Sequence, residues 1–460
     1  MEKVNEPKND SEISIEMEEI DNIDIKSETD EDDDLNIEIP RPVLKKTFWQ
    51  KMTSSFKTIQ EETKSKIPLL FESKKLEETQ LEKISTKETS EFKRFNFLDG
   101  FRGILAIVVL ISHAKTNEKC ELITFFHKIA HTGGVYGFFV LSAFLLTYKL
   151  LNEMNSKSNF KAKIWSIFKY FIRRFFRIYI VFFIIVTGIK FGPKILGGLF
   201  NYDETKFNYA SWSNLLLLKN PGVNHLWTIA PEIKYYFFIP LFCLIANTMG
   251  KYDMILLIVS ILLSIFNEVF NFFGLKSLDF YAHMTEYLYI RFSIFFYGSI
   301  AGLFLVIIER HEKITNFLKT FLVQFFLNFI TVILAVYGFK HINPVMVLEG
   351  SNASRIWASF ILLAALGNEN LIVVRFFSNK FLTNCGKYSF GIYLLHPIFV
   401  QIALQYFHFE LQFDSVVIIF LMTYFASFIF YYLLESNCIK LANMLIKGIE
   451  KWSRKDLPTS

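Results

Sequence analysis

The sequence predicts an all-α protein, a polytopic bundle of about ten transmembrane helices behind an acidic N-terminal tail. The 460-residue chain is 52% hydrophobic, contains 53 Phe and has a mean hydropathy of +0.31. An ordinary soluble domain of this length does not have that composition, whereas a multi-pass membrane protein does. Several stretches also have the roughly 20 apolar residues that one bilayer crossing needs.

Ten candidate spans follow one another along the chain. They lie near 97–114, 133–151, 174–192, 225–247, 253–272, 284–308, 318–339, 353–367, 387–406 and 414–436. Lys and Arg are concentrated in alternate connections, and the basic ones are 149–177, 309–319, 367–387 and the C-terminal tail. By the positive-inside rule this alternation predicts a multi-pass protein of the plasma or an internal membrane with both termini in the cytosol.

The net charge of the chain is +5, but its charged residues are distributed unevenly and divide it into segments. Residues 1–40 hold 16 acidic and 3 basic residues, which predicts a disordered cytosolic tail. Residues 41–93 are a charged linker with amphipathic pieces, which either lie on a membrane surface or are solvated. The transmembrane domain is expected over 94–445, followed by a short basic cytosolic tail at 446–460. The polar, acidic start predicts no cleavable signal peptide.

The four cysteines lie far apart in the sequence, at Cys120, Cys243, Cys385 and Cys438. They form no CxxC pair and no cluster with histidines at metal-ligand spacing. Neither a disulfide framework nor a metal site is therefore predicted.

The first span, FLDGFRGILAIVVLISHA, carries Asp99, Arg102 and His113. A charged side chain at the centre of a span costs about 3 kcal/mol and usually has a function. Eleven residues at about 100° each place Arg102 and His113 on one helix face, roughly 16 Å apart. The alternative is that both side chains reach the two membrane interfaces and that Asp99 caps the helix or pairs with a nearby cation.

The stretch NHLWTIAPEIKYYFFIPL places Glu232 near the depth of His113. A carboxylate at that depth is protonated or paired. A pair with His113 would orient the imidazole as a general base. Arg291 competes for Glu232, and an Arg291–Glu232 pair would be a structural clamp. Pro231 predicts a helix kink beside the carboxylate.

Two further motifs carry polar groups. In LTNCGKYSFGIYLLHPIFV, His396 lies midway through a span, and Pro397 frees a backbone carbonyl near it. Such a histidine is functional or simply hydrogen-bonded across helices. In IRRFFRIY, Arg174 and Arg177 lie at the cytosolic end of a span, where they either anchor it or bind an anionic group such as a phosphate.

Taken together, these motifs resemble, in order, those of the membrane-bound acyltransferase-3 family. The resemblance covers residues 95 to about 445. Its first motif has Arg102 and His113, and the others are GGVYGFFVLSAFLLTY, RRFFRIY, HLWTIAPEIKYY, RFSIFFYGSIAG, GKYSFGIYLLHP and YYLLES. The further motif positions are Asp99, Ser142, Trp227, Tyr236, Arg291, Ser389, Tyr393, His396 and Glu435.

This resemblance implies an enzyme, an acyltransferase for groups other than aminoacyl groups. It would move an acyl group, often acetyl from acetyl-CoA, to a hydroxyl of a saccharide, glycolipid or lipophilic acceptor. It implies His113 as the base with Arg102 essential nearby, Glu232 as a partner of the base or the acceptor, and Arg174 and Arg177 as donor contacts. Neither a metal nor a nucleic acid is implied.

Two other classes of protein remain possible from the sequence. One is a transporter or lipid-handling protein with the same fold but without the chemistry, because intramembrane charges also suit transport pathways. The other is a structural or receptor-like membrane protein with a regulatory acidic tail. Retention of both Arg102 and His113 favours the acyltransferase.

Overall fold

The structure is a computed structural model, and all the regular elements that it describes are helical. It describes residues 96–113, 121–191, 226, 228–275, 288–340, 347–367, 369–406 and 413–455. The predicted acidic tail at 1–40 and the linker at 41–93 lie outside the described residues. Within the described part of the chain the expected all-α fold class is confirmed.

Fifteen α-helices account for most of the described residues. In chain order they are α1 (Asn96–His113), α2 (Glu121–Asn155), α3 (Phe160–Arg174), α4 (Ile180–Phe191), α5 (Ile229–Met249), α6 (Asp253–Leu275), α7 (Leu288–Arg310), α8 (Glu312–Leu318), α9 (Phe321–Lys340), α10 (Val347–Leu366), α11 (Ile372–Phe377), α12 (Lys380–Lys387), α13 (Ser389–Tyr406), α14 (Phe413–Phe430) and α15 (Ser436–Lys455). Two π-helical turns, Phe175–Tyr179 and Tyr431–Glu435, join α3 to α4 and α14 to α15 without a break.

Six helices in the described ranges are long and apolar enough to cross a membrane, by length and composition. They are Asn96–His113, Gly134–Asn155, Ile229–Met249, Arg291–Arg310, Phe321–Phe339 and Ser415–Trp452. Two shorter apolar helices, Asn352–Leu366 and Ser389–Leu404, coincide with the eighth and ninth expected spans. The predicted multi-pass helical bundle is therefore confirmed, whereas the count of ten spans is not.

The centre of the bundle is the packing of α2 along α7. Gly298 on α7 faces Val140 and Ala143 of α2, and a Cβ atom at 298 would overlap the Val140 carbonyl oxygen. The missing side chain therefore lets the two helices approach closely, as small residues do in membrane bundles.

A buried cluster of hydroxyl groups joins α5 to these two helices. Thr147 donates a hydrogen bond to Ser299 at 2.8 Å, and the Tyr235 hydroxyl lies 2.7 Å from the same serine oxygen. Each helix satisfies a polar group of another one in the apolar interior. This cluster fixes α5, which carries Glu232, against α2.

The first turn of α1 packs backbone to backbone against α11 and α12. A Cβ atom at Gly100 would overlap the Phe377 carbonyl, and one at Gly386 would overlap the carbonyl of Asp99. These contacts fix the rotation of α1 just before Arg102. The helix is thereby held so that the arginine faces the interior of the bundle.

Candidate active site

A cavity of about 820 Å³, measured with its opening, lies between α1, α2, α5, α13 and the first π turn. It brings together residues that are far apart in sequence and that were singled out from it. These are Arg102, Ser142, Arg174, Arg177, Glu232, Tyr236, Ser389 and Tyr393. Apolar side chains complete the wall, namely Val135, Phe138, Phe139, Ile178, Ile229 and Phe390.

The three arginines of the cavity differ in how their charge is balanced. Arg102 lies 3.3 Å from Asp99, three residues earlier on α1. Arg177 lies 3.8 Å from Glu435, whose side chain is buried at the end of the second π turn. The Nε atom of Arg174 is buried and has no hydrogen-bond partner among the described residues. Arg174 therefore leaves an N–H donor of a cation in the cavity wall, which suits an anionic ligand.

Glu232 is held by two hydroxyl groups. Its Oε1 atom accepts hydrogen bonds from Ser142 at 2.9 Å and from Tyr236, one helical turn later, at 2.6 Å. Because both hydroxyls donate to the same oxygen, they hold the Glu232 side chain in one orientation. Ser142 and Tyr236, expected only as motif positions, thus act with Glu232 as one unit. The pairing of Glu232 with His113 stays a prediction.

The kink expected at Pro231 does not arise, because α5 begins at Ile229. Pro231 is the third residue of the helix, where a backbone N–H would have no partner within the helix in any case. The proline therefore starts α5 rather than bending it. Glu232 lies in the first turn, where the helix dipole favours a negative charge.

His113 is the last residue of α1 and is exposed at the surface of the described residues. Its Nδ1 atom lies 2.9 Å from the Val109 carbonyl oxygen and 3.1 Å from the Ser112 hydroxyl. A carbonyl oxygen only accepts, so we assign the proton of the neutral ring to Nδ1. The Nε2 atom then carries the lone pair, which is the arrangement that a general base needs. His113 lies outside the cavity lining.

His396 lies against His113. Their ring centroids are 4.9 Å apart with an interplanar angle of 62°, and His396 is fully buried. Its Nδ1 atom lies 2.8 Å from the Tyr393 carbonyl, the acceptor that Pro397 leaves without its usual helical donor. The carbonyl expected to be freed near His396 is therefore confirmed. In the neutral ring this contact places the proton on Nδ1 as well.

Tyr393 connects the histidine pair to the cavity. Its ring centroid lies 6.0 Å from that of His396, and its hydroxyl lies 2.7 Å from the Thr228 hydroxyl. Both Tyr393 and Thr228 line the cavity. Thr228 was missed from the sequence, where the only signal was its place four residues before Glu232. Trp227, an expected motif position, lies outside the described residues.

Arg291 lies on α7 and contacts Tyr136 of α2. Its guanidinium donates a hydrogen bond to the Tyr136 hydroxyl and stands 5.3 Å from the centroid of that ring. The structure thus gives Arg291 a tyrosine partner. Among the described residues no cluster of His, Cys, Asp and Glu could hold a metal ion.

Fold and site together define a multi-pass helical membrane protein with a polar cavity that is lined by three arginines and Glu232. The family model that matches the chain is described as an acyltransferase domain and covers residues 95–432. Because the match extends over most of the chain, the protein belongs to the acyltransferase-3 family, as the motifs indicated.

Curated relatives are similar to part of the chain. Two are proteins of Staphylococcus aureus, strains COL and N315, each named as a "putative O-acetyltransferase". Each is 27% identical over 176 residues, which are 34% of this chain and 26% of the relative. The chain thus spans about a quarter of the length of the curated relatives it matches. No solved structure matches the chain.

Proposed function

We propose that the protein is an integral membrane O-acyltransferase. It transfers an acyl group, acetyl foremost, from acyl-CoA to a hydroxyl of a saccharide, glycolipid or lipophilic acceptor. The observation that carries this proposal is the cavity, which gathers three arginines and Glu232 beside a helix that ends in His113. Family membership and relatives named for O-acetyl transfer support the reaction class.

The acyl donor, acyl-CoA, is an anion, and the arginines of the cavity are the groups that bind it. Arg174 and Arg177 bind phosphate oxygens of acyl-CoA, with Arg102 adding positive charge from α1. The buried Nε atom of Arg174, which has no partner among the described residues, fits a ligand with hydrogen-bond acceptors. Both termini and the basic connections face the cytosol, where acyl-CoA is available. The pantetheine arm then extends along α1 from Arg102 towards His113, roughly 16 Å away.

His113 acts as the general base. The Val109 carbonyl holds its Nδ1 proton, so Nε2 takes the proton of the acceptor hydroxyl as that oxygen attacks the thioester carbonyl. The C–S bond then breaks, and the imidazolium returns the proton to the leaving sulfur. The ring of His396, whose Nδ1 atom lies 2.8 Å from the Tyr393 carbonyl, packs against the ring of His113. Glu232 orients the Ser142 and Tyr236 hydroxyls on the cavity wall.

The test is acyl transfer in membranes that contain the protein. Acetyl-CoA with a labelled acetyl group is supplied to the wild type, to His113→Ala and to His311→Ala, an exposed histidine outside the cavity. We expect incorporation into a lipid or glycan fraction to fall at least about 100-fold in His113→Ala, the usual contribution of a general base. We expect His311→Ala to retain the incorporation of the wild type. Incorporation that survives in His113→Ala contradicts the role of His113 as the base, whereas wild-type incorporation no higher than in membranes without the protein favours a non-catalytic, transport-like member of the family.

A further inference from the structure

The helices α3 and α15 pack against each other beside the transmembrane bundle. Ile172 of α3 forms a buried cluster with Ala442 and Ile446 of α15. The Trp165 indole donates a hydrogen bond to Glu450 at 3.0 Å. These contacts make α3 and α15 one two-helix unit, which is called the platform below.

The helix α15 has three distinct faces. The buried face, Cys438, Ala442 and Ile446, is the one that packs on the protein. A second face exposes a row of large apolar side chains at spacings of four and seven residues. The members of this row are Leu441, Leu445 and Trp452, of which Trp452 is 68% exposed. The third face carries the exposed lysines Lys440, Lys447 and Lys451.

The two exposed faces have a fixed relationship. At about 100° per residue the three lysines fall within about 40° of one another, and the apolar row lies about 120° from them around the helix. On α3, Phe160, Ile164 and Phe168 form another exposed apolar row at a spacing of four. An apolar row beside a lysine row is the pattern of a helix that lies in a membrane interface.

We propose that the platform lies on the bilayer surface and binds anionic phospholipid headgroups. Its apolar rows enter the boundary between headgroups and acyl chains, and the lysines of α15 extend sideways to the lipid phosphates. The charge of the lysine row selects anionic lipids over zwitterionic ones. The helix α15 of the platform follows α14 directly through the second π turn, and only its half of this long helix carries the lysine row.

The platform also borders the arginine side of the cavity. Its helix α3 ends at Arg174, and α15 begins directly after Glu435, the partner of Arg177. Contact with lipid therefore holds both ends of the Arg177–Glu435 pair. Binding of lipid at this surface does not depend on the proposed acyl transfer, so the two proposals fail separately.

The test uses the purified full chain in lipid nanodiscs and the fluorescence of Trp452. The signal of Trp452 is the difference between the wild type and Trp452→Phe. Lipids with bromine high on the acyl chain quench a tryptophan that touches them. Each lysine near an anionic surface favours it about fivefold. We therefore expect brominated phosphatidylserine at low mole fraction to quench Trp452 several-fold more than brominated phosphatidylcholine.

A charge-reversal variant and a matched control complete the experiment. In the triple variant K440E/K447E/K451E the two lipids quench Trp452 equally. The control K313E/K319E/K380E makes the same change of charge at exposed lysines outside the platform and keeps the preference. If no brominated lipid quenches Trp452, the proposal is overturned, because protein then covers the apolar face of α15. Equal quenching by both lipids in the wild type overturns it as well.

Discussion

Arg177 and Glu435 join the two π-helical turns of the protein. Each lies within one of the five-residue turns, and the Arg177 Nη2 atom is 3.8 Å from the Glu435 Oε1 atom. The carboxylate side chain is 1% exposed, whereas that of the arginine is 32% exposed. The ion pair therefore links two irregular segments on one side of the cavity. Such π turns occur frequently at functional sites.

The unequal burial of this pair predicts an unequal cost of breaking it. Arg177→Gln leaves a buried carboxylate without its cation and lowers the free energy of unfolding by about 3 kcal/mol. Glu435→Gln leaves an arginine that reaches water, so its cost is smaller. Thermal unfolding in detergent measures both variants. A double variant no worse than Arg177→Gln alone supports the coupling, and strictly additive losses contradict it.

The unpartnered Nε atom of Arg174 predicts a role in donor binding. Arg174→Gln removes one or two charge-assisted hydrogen bonds, so we expect the KM for acetyl-CoA to rise about 10- to 100-fold with a smaller change in kcat. The matched control is Arg173→Gln, because Arg173 is exposed, lies 3.5 Å from Glu153 and does not line the cavity. If the KM for acetyl-CoA is the same in both variants, Arg174 does not bind the donor.

The hydrogen bonds to Glu232 predict a non-additive set of variants. Tyr236→Phe removes one hydrogen bond to a charged acceptor and should lower acyl transfer about tenfold. Glu232→Ala removes the acceptor of both hydroxyls and should cost more. Because the tyrosine acts through the carboxylate, Tyr236→Phe has little further effect once Glu232 is Ala. If the two losses of acyl transfer multiply in the double variant, Tyr236 and Glu232 act independently and not as one unit.

The close contact of α2 and α7 predicts a specific sensitivity to one methyl group. In Gly298→Ala the Cβ atom overlaps the Val140 carbonyl, so the helices separate and the free energy of unfolding falls by about 1–3 kcal/mol. Gly448→Ala is the control, since a Cβ there meets nothing within 4 Å and alanine favours a helix. We expect thermal unfolding to occur earlier only in the first variant. If Gly298→Ala and Gly448→Ala unfold at the same temperature, the contact between α2 and α7 is loose.

Much of the site could be predicted from the sequence, because local rules apply to it. The cost of charge in a membrane singled out Arg102 and Glu232, and both line the cavity. The missing N–H of Pro397 indicated a free carbonyl near His396, and that carbonyl accepts from the His396 ring.

What failed or stayed open depends on how separate helices are rotated against one another. Hydrophobic length predicts a span but not the azimuth of its side chains. The sequence therefore did not reveal that His396 is the residue that faces His113, or that Arg291 contacts Tyr136. The two π turns have no distinctive sequence period. Pro231 was misread because the start of α5 was placed four residues too early, at 225 rather than Ile229.

Donor binding and acyl transfer can be measured separately in the same membranes. A photoreactive acetyl-CoA analogue reports binding at the arginines, and labelled acetyl transfer reports turnover, for wild type, His113→Ala and Arg174→Gln. We predict that His113→Ala keeps photolabelling near Arg174 and loses transfer, whereas Arg174→Gln loses photolabelling. Transfer that persists without the His113 imidazole would contradict its role as the base.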